Sequence, residues 1–398
     1  MILVIAEKPS VAQSIAKVLG ATSRKDGYME GGNYIVSWCF GHLVELADAS
    51  SYDERYAKWR YDDLPIVPES WMFEVTKDKA QQFKVLSSLM KDKRVTELVC
   101  ATDAGREGEL IFRLVYNKAG CTKPFKRLWI SSLEDSAIRE GFNHLRDGKE
   151  YDRLYEAALS RSKADWIVGI NGTRLFTTLY HKKLVVGRVQ TPTLAMLVER
   201  DGKISTFQKE KYFNVHVGKG DLTADLEKVK TEEEAKRIAA ACEKKQAVVS
   251  SLKRETKTVN PPKLYDLTTL QREANRYYGF TAQQTLDLVQ TLYEKKLLTY
   301  PRTDSQFITD DMEDTARQVI SIVCHQLPLF SGVSVTPDIS SVTDNSNVTD
   351  HHAILPTVQL EKQDVSVLPQ SEQKILNLVG MRLLCATGEK HTYAETQI

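Results

Sequence analysis

The sequence has no paired-cysteine motif, no long uncharged run and almost no net charge. Its six cysteines are scattered without a CxxC pair, a spacing that excludes a zinc site and is typical of buried thiols in a reducing compartment. No uncharged run reaches the roughly 18 residues needed to span a bilayer. The first apolar run is also too short for a signal peptide. These absences predict a cytoplasmic enzyme or binding protein that does not enter a membrane.

The charge balance excludes a further class of protein. The chain of 398 residues carries 54 Lys and Arg against 53 Asp and Glu, a net charge of +1. A histone-like protein held to nucleic acid by bulk charge is therefore excluded, whereas a local basic groove is still allowed. The GxxxxGK[ST] phosphate loop is absent as well, so no nucleotide cofactor is expected. At about 150 residues per domain, the length predicts two or three domains.

The N-terminal segment has the pattern of a strand, a tight turn and a helix. Ile2–Ala6 is a continuous apolar run, which predicts a strand buried on both faces. A helical stripe of apolar residues then runs from Ser10 to Leu19, and Gly20 is a natural helix stop. Glu7 therefore lies at the carboxyl end of a core strand, where open α/β sheets bind ligands.

A second segment repeats this pattern and adds two acids. Leu98–Ala101 predicts another buried strand and Leu110–Tyr116 a helix, with Asp103 at the end of the strand and Glu107 four residues later. Three carboxylates that include Glu7 would meet at one sheet edge and repel each other unless a cation neutralises them. Mg²⁺, which takes hard oxygen ligands, fits this pattern. The alternative is an exposed helix start whose acids are favoured by the helix dipole.

A basic segment and a tyrosine segment follow. The range 171–198 contains no Asp or Glu but four Lys or Arg, with Gly187–Pro192 in its middle. It is a candidate phosphate-contacting surface, or else an ordinary solvated loop. Further on, a short helix ending at Gly279 precedes one that begins with a capping-box pattern at Thr281. Such a helix–turn–helix running into an extended segment resembles a winged-helix arrangement.

The extended segment pairs a tyrosine with an arginine. Pro301 biases Tyr300 away from helix, so Tyr300 and Arg302 are expected to point to the same side. The phenol pKa is near 10, and an adjacent guanidinium favours the phenolate and can also clamp a phosphodiester. The alternative is a buried tyrosine in a strand with an exposed arginine beside it.

Taken together, these motifs resemble the type IA DNA topoisomerases, and within them the bacterial topoisomerase III branch. The motifs that carry the resemblance stand in the family's order and cover essentially the whole chain: Glu7–Ser10, Thr102–Glu109, Gly187–Pro192, Thr299–Ser305 and Asp350–Thr357. The resemblance implies an enzyme that cleaves one DNA strand through a 5′-phosphotyrosyl intermediate, passes a strand and religates it. Such an enzyme relaxes negative supercoils or decatenates DNA, depends on Mg²⁺ and needs no ATP.

The resemblance also implies a multidomain α/β plus α+β fold. A Rossmann-like Toprim domain would be followed by mainly helical DNA-binding and winged-helix-like domains. The expected boundaries are 1–150 for the Toprim domain, 151–210 for the helical DNA-binding segment, 211–260 for arch-domain strands, 261–390 for the winged-helix-like domain with the tyrosine, and 391–398 for the start of a return into the arch.

Five residues match the family's catalytic positions. Tyr300 corresponds to the nucleophile, and Arg302 to the arginine that stabilises the scissile phosphate. Lys8 corresponds to a lysine that assists at the same phosphate, Glu7 to an acid of the site, and His351 to a histidine near it. Because the reaction is a transesterification that conserves bond energy, it requires no ATP site.

The acids implied as Mg²⁺ ligands are Glu7, Asp103 and Glu107. Many family members carry Asp-x-Asp-x-Glu at the second motif, whereas this chain has Gly105 at the middle position. The loss of one ligand favours a single ion held by Glu7 and Asp103. Glu107 is then expected to be a weaker ligand or to act through water.

The resemblance also assigns DNA-binding residues, with single-stranded DNA as the expected partner. The residues implied are Trp59, Arg161, Trp166, Arg174, Gly187, Arg188, Val189, Gln190, Thr191 and Arg302. Trp59 is a possible stacking partner for a base, although packing in the core is an equal alternative for both tryptophans.

The main departure from the family is length. Complete members form a closed ring of four domains, and this sequence stops where the chain would return into the arch. We therefore expect a truncated chain, monomeric and associated with the bacterial nucleoid in the cytoplasm. Two alternatives are open: another Toprim enzyme such as a nuclease or primase, and a single-strand-binding fragment without turnover.

Overall fold

The computed structural model describes the whole chain except residues 247, 334, 349 and 350 and the side chain of Leu222. Asp350, the first residue of the last sequence motif, therefore lies outside the described residues. The chain folds into two compact units, which are described separately: unit 1 comprises 1–185 and 260–391, and unit 2 comprises 186–259 and 392–398. The finer domain boundaries given above stay predictions.

The first part of unit 1 is built around a mixed sheet. Its strands are β1 (Ile2–Ala6), β2 (Ser23–Lys25), β3 (Tyr28–Gly31), β4 (Tyr34–Trp38), β5 (Val44–Leu46), β6 (Phe73–Val75), β7 (Glu97–Ala101), β8 (Phe125–Arg127) and β9 (Arg146–Asp147). Seven of them form one sheet in the order β2-β3-β4-β1-β7-β8-β9, while β5 and β6 pair separately. The central strands β4, β1, β7 and β8 are parallel, and the outer pairings are antiparallel.

Helices cover both faces of this sheet. Alternate residues of each strand point to opposite sides, and because they are apolar on both sides, both faces are buried. The helices are α1 (Pro9–Leu19), α2 (Ala49–Tyr52), α3 (Ala80–Lys91), α4 (Arg106–Lys118), α5 (Asp135–Asn143) and α6 (Asp152–Tyr180). Leu3 and Ile5 of β1 pack in the cluster that contains α3 and α4. Val4 and Ala6 pack in the cluster that contains α1 and α5. The predicted strands Ile2–Ala6 and 98–101 are thus confirmed.

The helix start and stop signals are also confirmed. The helix α1 ends at Gly20, whose left-handed backbone (φ 75°) lets its N–H reach the last carbonyls of the helix. The predicted helix Leu110–Tyr116 is confirmed, but α4 is longer and begins at Arg106, directly after Gly105. Both helices follow strands of the sheet, so Glu7 and Asp103 lie at the carboxyl ends of adjacent parallel strands.

The described residues of unit 2 form two helices and two small sheets. Its elements are α7 (Gln190–Ser205), β10 (Phe213–Lys219), β11 (Leu222–Val229), α8 (Glu232–Cys242), β12 (Lys253–Val259) and β13 (His391–Gln397). The strands β10 and β11 form an antiparallel hairpin, and α8 begins with a Thr231 cap that accepts from the Glu234 N–H. The strands β12 and β13 form the second sheet.

The second part of unit 1 is mainly helical. Its helices are α9 (Leu267–Tyr278), α10 (Ala282–Glu294), α11 (Glu313–Gln326) and α12 (Gln370–Ala386), and they share one hydrophobic core. Gly279 ends α9 and the capping box of Thr281 with Gln284 begins α10, as predicted. Where a wing was expected, the described residues form isolated bridges rather than strands, such as Leu298 with Pro356. No described helix is both long and apolar enough to cross a membrane.

Candidate active site

Two carboxylates, the buried Glu7 and the half-buried Asp103, meet where β1 and β7 end. The backbone N–H of Asp103 donates to Oε2 of Glu7 at 3.3 Å. Burial, followed by the charge of Asp103, raises the pKa of Glu7 from 4.5 to about 7. Burial also raises the pKa of Asp103. The neighbouring positive charges therefore do not fully compensate the two carboxylates for the loss of hydration.

The tyrosine singled out in the sequence lies against this pair. The hydroxyl of Tyr300 donates to Oδ2 of Asp103 at 2.9 Å, although the two residues are 197 positions apart. The backbone N–H of Tyr300 donates to the carbonyl of Ser131 at 3.1 Å, which ties the extended segment to the loop between β8 and α5. Burial and the Asp103 carboxylate raise the Tyr300 pKa above its ordinary value of 10. The phenol is thus protonated in this state.

Two rings hold the Tyr300 ring. The Tyr293 ring of α10 meets it edge to face with centroids 5.5 Å apart, and the His351 ring lies 4.3 Å away at an angle of 35°. Such aromatic contacts restrict the orientation of a ring beyond simple burial. The phenol is therefore held in place before any ligand binds.

His351 is held as a neutral ring. Its Nδ1 lies 3.0 Å from the hydroxyl of Ser131, and burial lowers its pKa from 6.5 to about 4. Its carbonyl accepts from the hydroxyl of Thr303 at 2.9 Å, so the ring and the tyrosine segment are tied together. A neutral imidazole at pH 7 can accept or donate one hydrogen bond without adding charge to the site.

These groups line a cavity of about 420 Å³ that mixes acids with cations. Its lining residues are Glu7, Asp103, Ala104, Gly105, Arg106, Glu107, Gly108, Arg161, Leu267, Thr268, Tyr300, Arg302, Thr303, Asp304 and His351. Arg302 is exposed and borders the same cavity as Tyr300, as the extended backbone predicted. The cavity can thus present both a nucleophile and cations to an anionic group.

Lys8 and Glu107 stand at the margin of this group. Nζ of Lys8 lies 3.7 Å from Oε1 of Glu294. Oε2 of Glu107 lies 3.6 Å from Nε2 of His42, and this contact lowers the pKa of Glu107. The structure therefore brings Glu7 and Asp103 together, whereas Glu107 faces the cavity with its own partner.

The carboxylate pair fits a divalent cation. Both groups are hard oxygen donors, Glu7 is buried and Asp103 half-buried, and each is disfavoured as an anion by desolvation. Within the described residues, no three His, Cys, Asp or Glu side chains form a ready metal cluster. Glu7 and Asp103 could therefore supply two ligands to such an ion, and water would complete its coordination.

The predicted DNA-binding residues of unit 1 differ in how far they are exposed to solvent. Trp59 is 42% exposed, and the guanidinium carbon of Arg174 lies 5.3 Å from the centre of its ring. Arg174 itself is buried and donates to the carbonyl of Tyr56 at 2.8 Å. Trp166 donates from Nε1 to the carbonyl of Ala47 at 2.9 Å and packs edge to face on neighbouring aromatic rings. Arg174 and Trp166 are thus engaged within the protein, whereas Trp59 is exposed on the surface.

The Gly187–Thr191 segment belongs to unit 2. The N–H of Gly187 donates to the hydroxyl of Thr191 at 3.1 Å, and Gln190 begins α7. The side chains of this segment are largely exposed. Arg161 lies on α6 of unit 1, 3.9 Å from the carboxylate of Asp165, and lines the active-site cavity.

The sequence analysis missed three contributors to this site. Tyr293 has the sequence character of an apolar position in α10, and only the fold brings its ring to 5.5 Å from that of Tyr300. Arg106 lines the cavity and follows directly after Gly105 in the second motif. Ser131 has no local signal, because its role comes from contacts with residues far along the chain.

Comparison with known proteins supports an assignment for both parts of the chain. A sequence profile described as DNA topoisomerase matches residues 149–398, and one described as Toprim domain matches residues 2–133. The chain is 42% identical over 411 residues to DNA topoisomerase 3 of Bacillus licheniformis. It is 41% identical over 418 residues to DNA topoisomerase 3 of Bacillus subtilis. Each alignment covers 100% of this chain and 56% of the relative, so the chain spans about half the length of these curated relatives.

The fold is also found in a solved structure. Full-length topoisomerase I from Thermotoga maritima superposes with a TM-score of 0.71 at 24% sequence identity. The match covers 99% of this chain and 62% of that one. This likeness confirms the predicted fold class, with an N-terminal Toprim sheet followed by a mainly helical part.

Proposed function

Since this chain belongs to the DNA topoisomerase family, we propose that it cleaves one strand of DNA through a covalent bond to Tyr300 and then reseals it. The observation that carries the proposal is the 2.9 Å hydrogen bond from the Tyr300 hydroxyl to Asp103. Glu7 lies at the same edge of the sheet. A tyrosine fixed beside two carboxylates and bordered by arginines has the groups that phosphoryl transfer requires.

The proposed step exchanges one phosphoester for another. The Tyr300 oxygen forms a bond to phosphorus, the bond from phosphorus to O3′ breaks, and the DNA stays attached through its 5′-phosphate. The phenol proton leaves past Asp103, which accepts the hydrogen bond of the phenol, and passes to water, so both carboxylates stay anionic. O3′ takes up one proton from water, so the exchange is balanced and resealing is its reverse. No nucleotide is consumed.

Positive groups are needed for this chemistry because the phenol is a poor nucleophile in the state described. Burial and Asp103 raise the pKa of Tyr300, which disfavours the phenolate. We propose that Arg302 binds the scissile phosphate and lowers this barrier, and that Lys8 and His351 assist beside it. Glu7 and Asp103 would hold one Mg²⁺, with Glu107 a weaker or water-mediated ligand. The ion would supply charge stabilisation for the phosphate oxygens when bound.

The proposed substrate is DNA with single-stranded regions. Trp59 offers an exposed ring on which a base can stack, and Arg174 supports that ring from within the protein. Arg161 adds positive charge to the cavity. The residues of 187–191 are proposed to contact the sugar–phosphate backbone, and Trp166 to shape the groove. We further propose that the chain acts as a monomer in the bacterial cytoplasm, at the nucleoid.

Relaxation of a negatively supercoiled plasmid with Mg²⁺ tests whether this chain turns over by itself. The expected product is closed circular DNA of altered linking number, formed without ATP and lost in a Tyr300→Phe chain. Nicked or linear products would instead favour a Toprim nuclease. Unchanged plasmid, together with retained binding of a single-stranded oligonucleotide, would favour a binding fragment without turnover.

A further inference from the structure

We infer that Arg127 is a positioning residue that presets Asp103 for the divalent cation and for Tyr300. This inference rests on the proposed function, because it concerns the same carboxylate. Arg127 ends β8, which runs parallel to β7 with Arg127 in register with Cys100. Its side chain is 0% exposed, a rare state for a guanidinium. A charge held entirely inside a protein requires specific partners.

The partners of Arg127 are the backbone carbonyls around the catalytic turn. Nη1 lies 3.0 Å from the carbonyl oxygen of Cys100, 2.7 Å from that of Thr102 and 2.9 Å from that of Leu128. Nη2 donates to the carbonyl of Asp103 at 2.6 Å. Three of these four carbonyls belong to the end of β7 and the turn that carries the Asp103 carboxylate.

The Asp103 backbone is consequently held from both sides. Its carbonyl accepts from Arg127, while its N–H donates to Glu7 at 3.3 Å. With both peptide groups fixed, the carboxylate has little freedom beyond its own side-chain torsions. The Asp103 oxygens are therefore aimed at the cavity and at Tyr300 before a ligand arrives.

A buried acid holds the guanidinium in turn. Nε of Arg127 lies 3.1 Å from Oε2 of Glu109, which is also fully buried on α4. Oε1 of Glu109 accepts from Nε of Arg113 at 2.8 Å, and Arg113 reaches Asp152 at the start of α6. A planar guanidinium can contact an acid and several carbonyls at once, whereas the ammonium of a lysine cannot spread its donors in this way.

The matched comparison is Arg127→Lys against Arg113→Lys. Both changes replace a guanidinium beside the same Glu109. Arg113, however, contacts Glu109, Asp152, the carbonyl of Gly148 and the rings of Phe125 and Tyr155, which lie outside the Asp103 turn. Mn²⁺ binding to the full chain, followed by electron paramagnetic resonance, measures the metal site without any turnover. We expect Arg127→Lys to weaken Mn²⁺ binding about tenfold or more, since changes to groups that orient metal ligands commonly have this effect. Arg113→Lys is expected to stay within about twofold of the unchanged chain.

A second readout separates positioning from a general loss of structure. The Mg²⁺ concentration for half-maximal oligonucleotide cleavage should rise in Arg127→Lys, while excess Mg²⁺ should restore the maximal cleavage. If Arg127→Lys does not fold, as judged by circular dichroism, Glu109→Gln replaces it, because it frees the guanidinium with an isosteric change. A smaller weakening of Mn²⁺ binding is then expected.

The outcomes that overturn the inference are distinct from failure of the proposed function. Unchanged Mn²⁺ binding in a folded Arg127→Lys chain, or an equal loss in Arg113→Lys, overturns the positioning role alone. If the unchanged chain binds no Mn²⁺, the proposed metal site is overturned and the inference with it.

Discussion

Gly108→Ala tests how closely the first turn of α4 must approach Asp103. A Cβ atom added at Gly108 would lie 2.0 Å from the carbonyl oxygen of Asp103, whereas real Cβ atoms essentially never come within 3.0 Å of another heavy atom. The turn or the helix must therefore move by about 1 Å. The same carbonyl accepts from Arg127, so the displacement is transmitted to the Asp103 carboxylate and its bond to Tyr300.

The expected effect on the rate of DNA resealing is large. A misplacement of about 1 Å in a catalytic constellation costs on the order of 100-fold in rate, and overpacking destabilises the fold by about 1–3 kcal/mol. The assay is the resealing of a preformed covalent oligonucleotide complex in a single turnover, with thermal unfolding followed in parallel.

Gly105→Ala is the control for this change. Gly105 lies in the same loop, a Cβ there would meet no atom within 4 Å, and its backbone is extended (φ 165°) rather than left-handed. It should reseal within a few-fold of the unchanged chain. A folded Gly108→Ala chain that reseals at the unchanged rate would refute the close approach inferred here.

Three further predictions concern the surroundings of the site. Tyr293→Leu removes the ring that packs 5.5 Å from that of Tyr300. Oligonucleotide cleavage should slow roughly two- to tenfold, which corresponds to the interaction energy of an aromatic pair. Tyr293→Phe keeps the ring and should cleave at the unchanged rate. The pKa of His351 is about 4 when folded against 6.5 ordinarily, so its contribution to stability should be lost as pH falls from 6.5 to 4. That loss is on the order of 3 kcal/mol, and it should be missing when the free energy of urea unfolding of His351→Gln is measured against pH. The raised pKa of Glu7 changes stability in the opposite direction, but it does so in both chains. If the stability of the two chains varied with pH in the same way, the assignment would be contradicted. Trp59→Ala should weaken the binding of a single-stranded oligonucleotide, measured by fluorescence anisotropy, by about 1–3 kcal/mol. The dependence of the affinity on salt concentration should not change. An unchanged affinity would argue against base stacking.

The local part of the site could be predicted from the sequence because it follows from hydrophobic runs and helix signals. Ile2–Ala6 and 98–101 are too apolar to be anything but buried strands, so Glu7 and Asp103 had to lie at strand ends. The capping box at Thr281 likewise fixed the start of α10. Tyr300 stood out only through its motif, since its contact with Asp103 joins residues 197 positions apart.

The remaining features depend on burial that has no local signature. Arg127 occupies a short strand in an unremarkable Phe-Lys-Arg sequence, and only the fold turns it into a fully enclosed cation. Arg174 has the sequence character of a phosphate contact, yet it is buried behind Trp59. In both cases, residues far apart along the chain decide whether a positive charge faces solvent or the interior.

Covalent capture of an end-labelled oligonucleotide tests the central claim most directly. Single-stranded DNA is incubated with the chain and Mg²⁺ and denatured rapidly, and the label that remains on the protein is measured. Because the proposed bond joins Tyr300 to a 5′-phosphate, label at the 3′ end should be retained and label at the 5′ end released. Tyr300→Phe should abolish retention, whereas Tyr293→Phe, which alters the neighbouring ring at 5.5 Å, should preserve it. Retention in the Tyr300→Phe chain, or retention of the 5′ label, would contradict this account.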